Sequence, residues 1–177
     1  MPIKRAAGAV VFHRGPGNKI EYLLLKHSPR YWNFPKGGME KGEREIDTAR
    51  REVKEETGLI DIRVLPGFYA REKYFFRASK NYGEISERNK TIMKLVTFYL
   101  AESKTKAVMI SHEHEGYEWL DLEGASARLR KNRAYKKSQE ILKKADDFIF
   151  HRKSISNSQS YTKKPGSHLQ TGGKTGK

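Results

Sequence analysis

The chain has 177 residues, 36% of them hydrophobic, and 36 Lys or Arg against 21 Asp or Glu, a formal net charge of +15. This length allows one domain, or one domain and a tail, and no apolar run reaches the roughly 18 residues that a membrane-spanning helix needs. The absence of cysteine excludes disulfides, thiol catalysis and Cys-based zinc sites, and it suits a reducing cytoplasm, where we expect the protein.

Taken in chain order, "IKRAAGAVVFH" (3–13) predicts a strand of small residues rather than a signal peptide. "GPGN" (15–18) is turn chemistry, and "IEYLLLKH" (20–27) is apolar enough for a central strand. "SPRYWNFPKGG" (28–38) holds two prolines and predicts a loop. Residues 43–57 form the clearest helix, stopped by Gly58. "LIDIRVLPGF" predicts a strand; "REKYFFRA" and "KTIMKLVTFYLA" predict a hairpin joined through a polar loop near "SKNYGEISE". "YEWLDL" (117–122) is a short strand running into a turn, and 134–150 has amphipathic helix spacing through Ile141, Leu142, Ala145, Phe148 and Ile149. Strands and helices mixed without regular βαβ alternation predict an α/β sandwich with a mixed sheet. Residues 1–150 are expected to form the domain. Residues 151–177, with six Lys or Arg, no acid and three larger apolar residues, predict a basic disordered tail.

The charge is unevenly spread. Without the tail the first 150 residues still carry 30 − 21 = +9, which points to a polyanionic partner such as a nucleotide or nucleic acid. Yet seven of the 21 acids lie between Glu40 and Glu56. On the helix 43–57, Ile46, Ala49 and Val53 share a core-facing stripe, while Glu52, Glu55 and Glu56 form one contiguous arc beside it. Asp47 and Arg51 are i,i+4 partners on the adjacent face. A solvated helix face explains most such acidic runs. Neighbouring carboxylates repel, however, and a bound divalent cation reverses the sign of that interaction. Hard oxygen ligands suit Mg²⁺ or Mn²⁺.

The surrounding sequence favours the cation. From Gly37, the chain reads Gly, five residues, Glu43, seven residues, then Arg51-Glu52-Val53-Lys54-Glu55-Glu56-Thr57-Gly58-Leu59. This resembles the Nudix box, here residues 37–59, at every defined position. The resemblance implies a Nudix-type α/β/α sandwich with a mixed sheet and a loop–helix–loop catalytic motif. It also implies hydrolysis of a nucleoside diphosphate linked to another group, with Mg²⁺ or Mn²⁺ as cofactor. By that analogy Glu52, Glu55 and Glu56 are metal ligands, one of them acting as base, while Arg51 and Glu43 brace the helix. Gly37 would let the backbone come close to metal or phosphate.

Two further stretches narrow the resemblance. "WNFPKGGMEKGE" (32–43) and "SHEHEGYEWLDLEGA" (111–125) are similar to segments of the bis(5′-nucleosyl)-tetraphosphatase branch, and with "RAAGAVVF" the likeness spans roughly residues 4–150. It implies asymmetric cleavage of diadenosine tetraphosphate to ATP and AMP, with Lys36 on the phosphate chain and Glu113 completing the metal site. Glu115, two residues on, is the alternative to Glu113. Tyr31, Trp32, Tyr74, Phe76, Phe98 and Tyr117 are candidates for stacking on a base. Phe98 is the choice because it lies on the strand where that branch carries a stacking Tyr. His112 and His114 invite a zinc reading, which six histidines, no cysteine and an adjacent carboxylate cluster oppose. Competing functions are an RNA 5′-end pyrophosphohydrolase or decapping enzyme, a diphosphoinositol-polyphosphate hydrolase, and a non-enzymatic RNA-binding module on the same scaffold. RNA is a possible partner through the basic body and tail; no membrane partner is expected, and the protein is expected to be a monomer.

Overall fold

The computed structural model describes residues 1–78, 89–130 and 135–160, with side chains described for 136–151 of the last segment. Seven strands, three α-helices and a short 3₁₀ turn at Pro16–Asn18 are found among them: β1 (Ile3–Arg14), β2 (Ile20–Ser28), β3 (Tyr31–Asn33), β4 (Lys36–Gly38), α1 (Glu45–Thr57), β5 (Ile62–Arg77), β6 (Thr91–Ser103), β7 (Gly116–Leu120), α2 (Leu122–Leu129) and α3 (Tyr135–Ser160). None of these helices is long and apolar enough to cross a membrane.

The sheet runs β3-β2-β1-β6-β5, with β4 paired to β1 and β7 to β2. It is mixed: β1 and β6 are parallel over Ile3↔Met93 to His13↔Ser103, and the other pairs are antiparallel. Side chains alternate faces along a strand, and two cores follow from this. Ala6, Val10 and Phe12 of β1, Tyr22 and Leu24 of β2, and Val96, Phe98 and Leu100 of β6 face α2 and α3, which add Ala125, Leu129, Ile141, Leu142, Ala145 and Ile149. The intervening Ala9, Val11, Leu23, Leu25 and Ala101 pack with Val53 of α1. Strands buried on both faces read as continuous apolar runs, which is why β1 and β2 lack a polar/apolar rhythm. The Tyr22 hydroxyl donates to Asp146 Oδ1 at 2.6 Å and ties α3 to the sheet's centre.

The structure departs from the sequence reading in four places. The 28–38 loop contains β3 and β4, because Pro35 does not prevent pairing on either side of it. The two strands predicted across 59–78 are one, β5, whose register shifts between Val64 and Tyr69 around Pro66 and Gly67. Gly67 takes φ +90°, a conformation that absorbs such a shift. Residues after Leu120 form α2 rather than a turn, capped by Asp121, whose Oδ1 accepts the Gly124 N–H at 2.8 Å. The backbone of α3 continues to Ser160, so the boundary expected at residue 150 falls within a helix. The polar loop 79–88 and the tail from 161 lie outside the described residues.

Leu142 is 1% exposed in the core under α3. Leu142→Ala is expected to cost about 2–5 kcal/mol, the range for a large-to-small core truncation. Urea unfolding checks this; a cost below about 1 kcal/mol would show that α3 is not bound to the sheet as described.

Candidate active site

The helix α1 begins at Arg44 and ends in Gly58, which adopts φ +71° and returns its N–H to the Lys54 carbonyl. Ala49 and Val53 are 1% and 0% exposed, so these two members of the predicted stripe face the core, while Ile46 is half-buried. The flanking arc is thereby turned towards β4. Glu56 Oε2 accepts the backbone N–H of Lys36 at 2.9 Å. Gly37 presses onto the other buried acid: a Cβ there would stand 2.1 Å from the Glu52 carboxylate. The close approach expected of this glycine was to metal or phosphate; the one the structure shows is to the Glu52 carboxylate. Gly8 serves β4 from beneath, since its Cβ would meet Lys36 Cβ at 2.5 Å and the Pro35 carbonyl at 2.2 Å.

One guanidinium organises the acids. Arg51 donates to both Glu43 oxygens at 2.9 Å, to Glu52 at 2.8 Å, to Glu55 at 3.0 Å and to the Gly38 carbonyl at 2.8 Å. The predicted Asp47–Arg51 pair does not form; Asp47 takes Arg44 instead at 2.6 Å, because Arg51 is already committed. Bonds from Arg51 and Thr48 hold the Glu43 carboxyl down at about 2. In the opposite sense, burial raises Glu52, and it pushes Glu56 up to about 7 despite the Lys36 N–H; the nearby charges of Glu52 and Glu113 add to this.

These groups line one cavity of about 530 Å³ with Lys36, Gly37, Gly38, Glu52, Glu55 and Glu56 on one side and Ser111, His112 and Glu113 on the other. The structure therefore brings together residues nearly 80 positions apart; Glu113 lines the cavity, whereas Glu115 pairs with Lys26 at 3.1 Å. His112 lines the cavity. His114 is buried behind it, its Nε2 3.6 Å from Glu56 Oε1 and its Nδ1 3.0 Å from Ser111 Oγ. Among the described residues no three acidic or imidazole groups converge closely enough to hold an ion as they stand. The donor set nevertheless fits a hard divalent cation. Its donors are carboxylate oxygens, and two of the acids are pushed towards the neutral form by burial, a penalty that a cation would relieve.

Phe98 does not fit the base-stacking role expected of it. Its ring is 1% exposed and packs edge-on to Phe34 at 5.5 Å, so neither face is open. Trp32 is also buried, under the Arg128 guanidinium. Of the other candidates, Tyr117 is 39% exposed. Two charged residues escaped the sequence reading. Glu72 is 4% exposed, raised by desolvation against the pull of Lys36 and Lys137. Lys94 is lowered by desolvation and Lys36, and is held back by Glu52 and Glu56. By register both share a sheet face with Val96 and Phe98. The signal was present: a charge at a core-facing position of an alternating strand, "FYAREKY" and "IMKLV".

Residues 2–143 match the NUDIX domain family. The chain is 35% identical over 132 residues to the asymmetrical bis(5′-nucleosyl)-tetraphosphatase of Mus musculus, covering 68% of this chain and 81% of that protein. It is 29% identical over 143 residues to the RNA pyrophosphohydrolase of Bartonella henselae, covering 70% and 79%. Among solved structures, an Ap4A hydrolase of C. elegans in a binary complex superposes with a TM-score of 0.64 at 30% identity, covering 84% of this chain and 98% of that one.

The raised Glu56 carboxyl has a thermodynamic consequence. Between its ordinary value of 4.5 and about 7, the folded state binds more protons than the unfolded chain. This group's contribution to stability therefore falls as pH rises through that window and is restored below it. For metal-free protein we expect a loss on the order of 2 kcal/mol from pH 4.5 to 7, most of which Glu56→Gln should abolish. Urea unfolding in chelator checks this; equal pH slopes in both proteins would show that Glu56 ionises freely.

Proposed function

Because this chain belongs to the Nudix hydrolase family, a divalent-metal-using group of pyrophosphohydrolases, we propose that its cavity binds a dinucleoside tetraphosphate and cleaves it asymmetrically to ATP and AMP. The observation carrying this reading is the cavity that sets Glu52, Glu55, Glu56 and Glu113 beside Lys36, in a chain similar along most of its length to enzymes of that specificity.

Glu52, Glu55, Glu56 and Glu113 would hold Mg²⁺ or Mn²⁺, which neutralises phosphate charge and raises the acidity of bound water. The protein's own groups supply the rest. Glu52 and Glu56 are fixed by Arg51 and by the Lys36 N–H, so their oxygens need little reordering. Glu55 is the exposed member, 56% at its side chain. That exposure supports its role as acceptor of the proton of the attacking water. Lys36 lies close enough to Glu56, Glu72 and Lys94 for its charge to bear on all three. It would take the phosphate chain, with Lys94 behind it. Water oxygen joins one phosphorus as a bridging P–O bond breaks, and the leaving phosphate departs as the second nucleotide.

A second reading, hydrolysis at an RNA 5′ end, draws on the RNA pyrophosphohydrolase relatives and on the net charge of +15. A substrate panel with Mg²⁺ separates the two. Diadenosine tetraphosphate is expected to turn over fastest, giving equal ATP and AMP. Faster release of pyrophosphate from 5′-triphosphorylated RNA would transfer the assignment.

Glu52→Gln and Glu56→Gln are each expected to lower kcat about a hundredfold or more, the scale of a lost catalytic group, with the circular dichroism spectrum unchanged. Wild-type turnover in both would refute the site. Lys36→Ala is expected to impair tetraphosphate substrates more than shorter ones; equal losses would mean that Lys36 only supports β4.

A further inference from the structure

The sheet has a second exposed face that the cavity does not use. On the α1 side, the helix packs over β1 and β4, reaches the margin of β6, and makes no comparable contact with β5. The outward positions of β5 alternate cleanly: Tyr69, Arg71, Lys73, Phe75 and Arg77 are exposed, while Ala70 and Glu72 are buried. Cross-strand register extends this row into a platform. Tyr69 lies opposite Tyr99, Lys73 opposite Leu95 and Phe75 opposite Met93. Leu95 continues to Arg5, and Met93 to Ile3. Tyr69, Phe75 and Ile3 are 64%, 54% and 57% exposed. Among the described residues no element covers them.

Large apolar side chains exposed together on one face mark an interaction surface. Here they are interleaved with cations rather than rimmed by mixed charge. Arg71 lies over the Tyr69 ring at 5.3 Å. The acid in ion-pair contact with this face is Glu45, at 3.5 Å from Arg5 and 3.9 Å from Arg71. Among the described residues Lys73 and Arg77 have no such acid. Tyr69 and Phe75 are six positions apart on a strand, roughly 20 Å, a span of several nucleotides. Aromatic rings standing on a sheet with cations between them suit bases that stack and phosphates that pair.

We propose that the outer face of β5, β6 and β1, centred on Tyr69, Arg71, Lys73 and Phe75, binds single-stranded nucleic acid. The platform lies across the sheet from Lys94 and Glu72, and it is independent of the reaction assigned to the cavity.

The test is fluorescence anisotropy of a labelled oligouridylate with the full chain. Tyr69→Ala/Phe75→Ala keeps every charge and is expected to weaken binding roughly tenfold or more, through lost stacking. Arg71→Ala/Lys73→Ala is expected to flatten the log–log salt dependence by about 0.7 per phosphate contact removed. Both variants should hydrolyse diadenosine tetraphosphate like the wild type. Unchanged affinity in the aromatic variant would overturn the proposal, since binding would then rest on dispersed positive charge. So would a concentration-dependent dimer in sedimentation that Phe75→Ala dissolves and oligouridylate does not. If either variant misfolds, photocrosslinking of thiouridine-substituted RNA to wild-type protein decides. Adducts on residues 69–77 support the platform, and adducts confined elsewhere overturn it.

Discussion

The Arg51 guanidinium is the contact on which the site depends. Four carboxylates of one short stretch, Glu43, Glu52, Glu55 and Glu56, would repel one another if left alone. Arg51 engages three of them and the Gly38 carbonyl, using all its nitrogens. A planar fork with fixed donor directions does this in a way that a lysine ammonium does not. The same bonds fasten the 38–43 loop to α1, so the loop and the helix become one rigid edge of the cavity. Glu56, beyond the reach of Arg51, is fixed by β4 through the Lys36 amide. The residual strain in the site is electrostatic: burial desolvates the Glu52 and Glu56 carboxylates, and Arg51 and Lys36 offset this only in part.

On the proposed function, those buried carboxylates would give a reason for a basic protein to concentrate acids on one helix. The cavity wall is negative at α1 and positive at Lys36, with Lys94 near enough to feel both signs. A polyphosphate needs cations along its whole length. On the proposed function the protein would supply some as lysines, and its carboxylates would admit the others as ions. The opposition between acidic helix and basic body would then be a division of labour within one binding event.

Local chemistry made much of this legible in the sequence. The arc of Glu52, Glu55 and Glu56 follows from helical spacing, the stop at Gly58 from its left-handed backbone, and the nearness of Gly37 to the site from its lack of a side chain. What stayed hidden depends on long-range register. Pairing of β4 with β1 turns Lys36 and Gly37 to opposite faces. The register shift between Val64 and Tyr69 lies within a single strand, β5, where the sequence pattern suggests two. Phe98 shows the same limit. Its strand was correctly located, but the parity that buries it against Phe34 is fixed only by pairing with both β1 and β5. Glu72 and Lys94 carry the complementary lesson: each is a charge that breaks the apolar parity of a strand, and each feels the charge of Lys36.

On the proposed function, α1 and the 111–113 loop together hold a divalent cation. Electron paramagnetic resonance of Mn²⁺ titrated into the protein tests this directly, because bound and free ion differ in signal. Saturable binding is expected, competed for by Mg²⁺ and weakened by Glu56→Gln and also by Glu113→Gln from across the cavity. Binding indifferent to both substitutions, or no binding even with a non-hydrolysable dinucleoside tetraphosphate present, would contradict it.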